Sequence, residues 1–315
     1  MKHLVIGSSG QVGEFLVKAI AKNNEEVIGT FHNRSLIDIK GYTDKTLPGK
    51  LFKLDITNYK DVERIILEVN PDVVYIPAAN TNVDYCELNE DETDKVNRNG
   101  IINIVDAINN LRLKNKSKKE PLLIFYSTDY VFDGKVGLYT EKSLTNPLNV
   151  YGNQKLFCEE FIQTHSKHFI IIRTTCVYGP ESQGKNFVSR LVKNLRDGKE
   201  AAISDDEYGT PTYAPDLADA TLKLINNIGY GLRTEKNNII NIAGRNYISR
   251  YQFALDIAKT FNCNINLISP IKSESLKRPA NRPLLGGLDT DLIENMIGRK
   301  VIGHTDGLFD MKKYI

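Results

Sequence analysis

The chain opens with HLVIG (3–7), an apolar run that breaks into Gly7-Ser8-Ser9-Gly10-Gln11-Val12-Gly13. QVGEFLVKAIAKN then places Val12, Leu16 and Ile20 on one helical stripe. A short buried strand, a glycine-rich turn and an amphipathic helix, in that order, begin a βαβ unit, and no other stretch constrains the fold as strongly. The rhythm continues. VIGTF (27–31), KLFKLDI (50–56) and DVVYIPAA (72–79) read as buried strands, with DVERIILEV as the crossover helix between the last two. VNRNGIINIVDAINNL is the next helix, LLIFYST (122–128) the next strand, YGNQKLFCEEFIQTH a further helix and FIIIRTTCVYG another β-rich run. These strands lack polar alternation, as burial on both faces requires. The expectation is an α/β protein with a doubly wound, parallel, Rossmann-type sheet.

After Gly179 the alternation loosens. NFVSRLVKNLRDGK, APDLADATLKLINN and SRYQFALDIAKTFN keep helical periodicity, but DDEYGTPTYAP and KRPANRPLLGG interrupt them. This predicts a dinucleotide-binding unit over residues 1–178 with returns around 215–262, and a smaller interleaved C-terminal lobe, mainly 179–315, for substrate. The net charge of +2 provides no field to recruit nucleic acid or an anionic membrane. LRLKNKSKKEP (111–121) carries five basic residues, yet without interleaved aromatics it reads as a solvated loop. Cys86, Cys158, Cys176 and Cys263 are widely spaced, which argues against a metal site or a disulfide framework and suits a reducing compartment. The first apolar run is too short for a signal peptide and no later run approaches membrane-spanning length. A cytoplasmic protein without nucleic-acid, membrane or metal partners is therefore expected.

Glycines between a first strand and a first helix let backbone N–H groups approach a pyrophosphate at the positive helix end. Gly7, Gly10, Gln11, Val12 and Gly13 are accordingly candidate cofactor residues, although the spacing is G-x-x-G-x-x-G and glycine turns also arise for conformational reasons alone. The second strand ends in Phe31-His32-Asn33-Arg34, with no carboxylate to bond a ribose 2′-hydroxyl. His32 and Arg34 there favour NADPH, Arg34 by pairing a 2′-phosphate; a solvated surface arginine, with NADH as cofactor, is the alternative. Asp55 and Ile56 end the third strand, where side chains border an adenine, and Ala78, Ala79 and Asn80 end the fourth, where small residues let a cofactor lie close.

Tyr151 and Lys155 stand four residues apart, side by side on one helix face. They are either a chance surface pair or an acid whose pKa a neighbouring ammonium lowers. Strand LLIFYST ends at Ser127-Thr128, and in a doubly wound sheet strand ends face the ligand crevice. The order of glycine loop, strand-end Ser-Thr and Tyr-x-x-x-Lys supports catalysis. Tyr151 would protonate a carbonyl oxygen, Thr128 would hold that oxygen, and Lys155 would depress the phenol pKa and bond the nicotinamide ribose.

The chain resembles the extended short-chain dehydrogenase/reductases and, within them, the dTDP-4-dehydrorhamnose reductase group. The resemblance rests on GSSGQVG, TNVDYCE (81–87), STDYVFDG (127–134), NPLNVYGNQKL (146–156), RTTCVYGP (173–180), DDEYGTPTYAPDLA (205–218) and RPAN (278–281) followed by LDT (288–290). It implies NADPH- or NADH-dependent reduction of a 4-keto group on a nucleotide-linked deoxysugar, in polysaccharide biosynthesis, by a homodimer. Thr128, Tyr151 and Lys155 become the catalytic set. Val83, Asp84 and Asp129 fall where the family lines the sugar pocket, Asn186 and Phe187 where it meets the nucleotide, and Arg278 where a diphosphate partner stands. Bland alternatives are that Asp84 caps the following helix and that Phe187 is core. Asn97 is expected to order a water or backbone beside the site. The chain departs from the family at Asn80, where an aromatic is frequent, at Pro77, and in RPLLGG, which lengthens the run before LDT. Tyr130 occupies the position where sugar-nucleotide dehydratases need a carboxylate, which argues against dehydration. The regulatory β subunit of methionine adenosyltransferase is also similar, and implies an alternative in which NADP is bound without turnover.

Overall fold

The structure, a computed structural model, describes residues 1–35, 49–114, 120–181, 183–228 and 238–314. Its first half runs β1 (Lys2–Ile6), α1 (Gln11–Lys22), β2 (Glu26–Phe31), β3 (Gly49–Lys53), α2 (Tyr59–Val69), β4 (Val73–Ile76), α3 (Val83–Leu88) and α4 (Glu90–Asp94). A π-turn (Lys95–Asn99) leads into α5 (Gly100–Lys114), β5 (Leu122–Thr128), α6 (Val150–His165) and β6 (Phe169–Thr174). The second half contains β7 (Val177–Tyr178), α7 (Phe187–Arg196), β8 (Ala201–Ser204), β9 (Tyr208–Gly209), β10 (Thr212–Tyr213) and α8 (Ala214–Ile228). It ends with β11 (Ile239–Asn241), β12 (Ile248–Ser249), α9 (Arg250–Thr260), β13 (Ile268–Ile271), α10 (Asp291–Ile297) and α11 (His304–Met311).

Seven strands form one parallel sheet in the order β3-β2-β1-β4-β5-β6-β11. The direction of winding reverses between β1 and β4, so a crevice opens beyond their carboxyl ends. The unbroken apolar character of the strands has a simple origin. Leu4 and Ile6 enter a core with α2, α5 and α6, while Val5 enters a second core with α1, α8 and α10 on the opposite face. Leu123 and Phe125 against Ile124 and Tyr126 repeat the division on β5. A third core gathers α7, α9 and α11 around Leu191, Phe253, Ile257, Leu308 and Met311.

Several boundaries differ from the sequence reading. β3 stops at Lys53, so Asp55 and Ile56 lie in the turn beyond it, where the Thr57 backbone N–H and hydroxyl both donate to the Asp55 carboxylate. β4 stops at Ile76 because Pro77 has no N–H to continue the ladder. The helix expected from Val96 begins as a π-turn, a form that concentrates at functional sites. The basic segment lies partly outside the described residues, since only its first part, to Lys114, continues α5 and 115–119 is not described.

Candidate active site

The glycine turn is pinned before any ligand arrives. Ser8 is fully buried, and its N–H and hydroxyl donate to the Thr30 carbonyl at 2.8 and 2.9 Å. A Cβ on Gly13 would sit 2.2 Å from the Gly7 carbonyl oxygen, so only glycine allows α1 to start this close to β1. Gly10 caps α1 in extended conformation without a side chain across the helix end. Gln11 Nε2 donates to the Gly179 carbonyl (3.1 Å) and Gln183 Nε2 to the Ser9 carbonyl (3.3 Å), joining the turn to the opposite wall.

Beyond the ends of β2 and β3, His32 is exposed and lies 3.8 Å from Asp55. Burial alone would raise the Asp55 pKa, but the Thr57 hydrogen bonds and His32 bring it below the ordinary carboxylate value. Arg34 follows β2 partly exposed, and Ile56 is buried beneath α5. Ala78 packs against Gly7, and Ala79 faces the crevice. Asn97, in the π-turn, holds Asn80 by both backbone groups, accepting from its N–H (2.8 Å) and donating to its carbonyl (3.0 Å). The same Asn97 Nδ2 donates to Gln154 Oε1 (2.7 Å), which connects the fourth strand end to α6. Asn97 thus orders backbone, as expected.

The first turn of α6 is fixed by Asn149, which accepts from the Gly152 N–H (2.8 Å), and by Glu87 of α3, which accepts from the Val150 N–H (2.9 Å). A Cβ on Gly152 would lie 2.2 Å from the Tyr130 carbonyl oxygen. This contact sets α6 directly on the turn after β5 and brings Tyr151 to Thr128. Both are buried; the Thr128 hydroxyl accepts from the Tyr130 N–H (3.2 Å), and its influence on the phenol, downward on the pKa, is the smallest of those acting there. Those influences correct one expectation. The Tyr151 pKa is raised rather than lowered, first by burial and then by Cys86, Asp129 and Tyr130. Lys155 does not oppose them because its ammonium is committed elsewhere. Nζ donates to the Tyr126 carbonyl of β5 at 2.8 Å and sits 4.6 Å from the Phe125 ring centre. Burial pushes the lysine itself down to about 8, against the upward pull of Cys158, Glu159 and Cys86.

Asp129 lies on the crevice floor, buried, and accepts from Thr175 Oγ1 (2.7 Å) and from the Gly287 N–H (3.2 Å). Burial raises its pKa while these donors pull the other way. It therefore fastens β5 to the segment RPLLGG. Asp84 does not cap α3; Asn82 does, by accepting from the Tyr85 N–H at 3.2 Å. Asp84 instead accepts from Arg282 Nη1 (2.5 Å) and the Ala280 N–H (3.2 Å), holding the RPAN loop. Arg278 is turned onto Glu207. Asn186 caps α7 through the Ser189 N–H (3.0 Å) and borders the crevice, whereas Phe187 joins the third core under the Arg250 guanidinium, 4.1 Å from its ring centre.

One crevice of about 540 Å³ unites Gly10–Gly13, Ala79, Val83, Thr128, Asp129, Tyr151, Lys155 and Asn186. Tyr130, Cys176, Glu207 and Arg250 also line it and were not anticipated. Tyr130 sets its ring edge against Tyr151, with centres 6.2 Å apart and planes at 76°. Cys176 takes a left-handed φ of 43°, a backbone conformation that is uncommon outside glycine and aims the strand-end loop into the crevice. Among the described residues no group of His, Cys, Asp and Glu could hold a metal ion, and no helix is long and apolar enough to cross a membrane.

A glycine turn at the switch point of a Rossmann sheet, with a Tyr-x-x-x-Lys helix laid against a strand-end threonine, fits the extended short-chain dehydrogenase/reductases. The chain belongs more narrowly to the RmlD substrate binding domain family, whose model matches residues 1–313. It is 30% identical over 302 residues to dTDP-4-dehydrorhamnose reductase of Aggregatibacter actinomycetemcomitans, covering 94% of this chain and 92% of that one. The crystal structure of a hypothetical dTDP-4-dehydrorhamnose reductase from Sulfolobus tokodaii superposes with a TM-score of 0.79 at 30% identity, covering 98% of this chain and 99% of that one. A dTDP-4-dehydrorhamnose reductase of Bacillus anthracis, solved in complex with NADP, shares the fold with a TM-score of 0.80 at 24% identity, covering 100% and 99% of the two chains.

Proposed function

We propose that the protein uses NADPH to reduce the 4-keto group of a nucleotide-linked 6-deoxyhexose, as dTDP-4-dehydrorhamnose reductases do, in deoxysugar or polysaccharide biosynthesis. The observation that carries this reading is the single crevice shared by the glycine turn and by Thr128, Tyr151 and Lys155. The family and the reductase relatives support it.

NADPH bound there supplies the hydride. Gly7, Gly10, Gln11, Val12 and Gly13 offer backbone and close approach to its pyrophosphate, Arg34 its guanidinium and His32 a ring N–H to its 2′-phosphate. Asp55 and Ile56 border the adenine, and Ala78, Ala79 and Asn80 leave room for the ribose. A reductase needs its phenol protonated at rest, and burial of Tyr151 raises its pKa in that direction. Tyr151 passes its Oη proton to the sugar carbonyl oxygen while the Thr128 hydroxyl donates a second hydrogen bond to it. Lys155, held on the Tyr126 carbonyl, turns its remaining donors to the nicotinamide ribose. Val83 and Asp129 wall the sugar and Asn186 the nucleotide, with Phe187 in the core behind. Asp84 and Arg278 serve the substrate through the loops they hold by Arg282 and Glu207. The third core with α7 and α9 forms the substrate lobe, and the assembly is a homodimer.

NADPH oxidation followed with a panel of nucleotide 4-ketosugars tests the assignment. Carbonyl-dependent oxidation is expected. Tight NADPH binding without oxidation by any of them would leave the regulatory-subunit reading in its place.

A further inference from the structure

We infer that Arg250 is the residue that binds the diphosphate of the nucleotide-linked sugar, in place of Arg278; this rests on the reductase reading above. Arg250 opens α9 and lines the crevice beside Glu207, Tyr208 and Ser249. Backbone contacts build its place. Ser249 stands opposite Tyr208 in the β9–β12 ladder, and the Arg250 N–H donates to the Glu207 carbonyl at 2.8 Å. Ser249 Oγ then caps α9 by accepting from the Gln252 N–H (3.0 Å). The Arg250 guanidinium lies over Phe187, 4.1 Å from the ring centre. Such stacking orients an arginine plane while leaving its edge N–H donors for a ligand, and that fork matches a phosphate.

Among the described residues no carboxylate or carbonyl accepts from that guanidinium, although Arg250 is half-buried. The neighbouring cations are engaged. Lys155 donates to the Tyr126 carbonyl, Arg278 is paired with Glu207 and Arg282 with Asp84. Lys185 also lines the crevice, but it is exposed and its flexible ammonium lacks a planar fork. The Arg278 pair has a second effect: it neutralises Glu207, a carboxylate of the same wall that would otherwise repel a phosphate. Glu181, also on the wall, takes its donors from Asn186, whose Nδ2 lies at 2.8 Å. The location suits a hexose reduced at C4. Tyr130 sets its ring edge against Tyr151; burial raises the Tyr130 and Cys176 pKa values, and the Arg250 charge pulls both down. C4 and the anomeric carbon stand at opposite ends of a pyranose, so a carbonyl held at Tyr151 sends the phosphates past Tyr130 towards Arg250. Asn186, adjacent to Phe187, borders the same end of the crevice.

The test titrates dTDP and thymidine into the full chain loaded with NADPH, read by ligand-observed NMR. Wild type should bind dTDP more tightly than thymidine. Arg250→Met keeps an unbranched stem over Phe187 and removes the charge. It should weaken dTDP by about ten- to hundredfold and leave thymidine and NADPH affinities unchanged. Arg250→Lys, with the charge but without the fork, should recover part of the loss. An unchanged dTDP affinity in Arg250→Met would overturn the proposal. Equal losses for dTDP and thymidine would overturn it too, reducing Arg250 to packing on Phe187. Absence of NADPH oxidation by wild type with every 4-ketosugar would instead strike the reductase reading, and the difference between dTDP and thymidine would still judge Arg250.

Discussion

Replacing Lys155 by Met should make the protein more stable and inactive. Lowering a buried lysine from its ordinary 10.5 to about 8 means that, at neutral pH, the folded state carries its charge at a penalty of about 3 kcal/mol relative to the unfolded chain. Methionine removes that penalty and forfeits the charge-assisted bond to the Tyr126 carbonyl, worth about 2 kcal/mol, for a net gain of about 1 kcal/mol. The pH dependence gives the effect its signature. Between about 8 and 10.5 the unfolded chain binds more protons at this site than the folded one, so wild-type stability rises with pH there. Below about 8 both states carry the proton and the penalty is fully present. Urea unfolding of the two proteins at a series of pH values from neutral to alkaline should therefore show the advantage of Lys155→Met shrinking steadily above pH 8. A constant difference, or a variant less stable than wild type at neutral pH, would refute the reasoning that the lysine is held there at a cost.

Three further outcomes follow from individual contacts. Arg34→Ala should weaken NADPH binding by about tenfold and leave NADH binding unchanged in a fluorescence titration, as loss of a phosphate-paired cation requires; equal losses for both nucleotides would contradict a 2′-phosphate contact. Gly152→Ala places a Cβ 2.2 Å from the Tyr130 carbonyl and should separate α6 from the turn after β5, costing about 1–3 kcal/mol in denaturant unfolding and most of the turnover. Asn97→Ala leaves the buried side of the Asn80 backbone without its two partners, and should cost about 2–4 kcal/mol together with a raised Kd for NADPH.

The sheet was legible because its information is local: each strand is a short apolar run, and each crossover a periodic stretch of helix length. The juxtaposition of Tyr151 and Lys155 was legible for a related reason, since a fourfold spacing places them on one face wherever the helix lies. Charge was not legible. Which way the Lys155 ammonium turns depends on the carbonyl of Tyr126, and the Tyr151 pKa depends on burial and on the nearby Cys86, Asp129 and Tyr130, none of which spacing reveals. Long-range loop contacts were equally hidden, because Asp84 meets Arg282 across most of the chain and Arg278 meets Glu207 only once the RPAN loop has folded over. Asn186 carried a readable local signal, an asparagine directly before an amphipathic helix, and that signal meant a cap. Arg250, the first residue of α9, reaches the crevice over Phe187, a contact no local pattern announces.

Everything in the mechanism turns on a buried phenol that gives its proton to a sugar carbonyl. Single-turnover NADPH oxidation by Tyr151→Phe, with a dTDP-linked 4-keto-6-deoxyhexose saturating and NADPH affinity measured alongside, addresses that most directly. Loss of at least about a hundredfold in rate with NADPH affinity unchanged is the predicted result. Oxidation at the wild-type rate would contradict it.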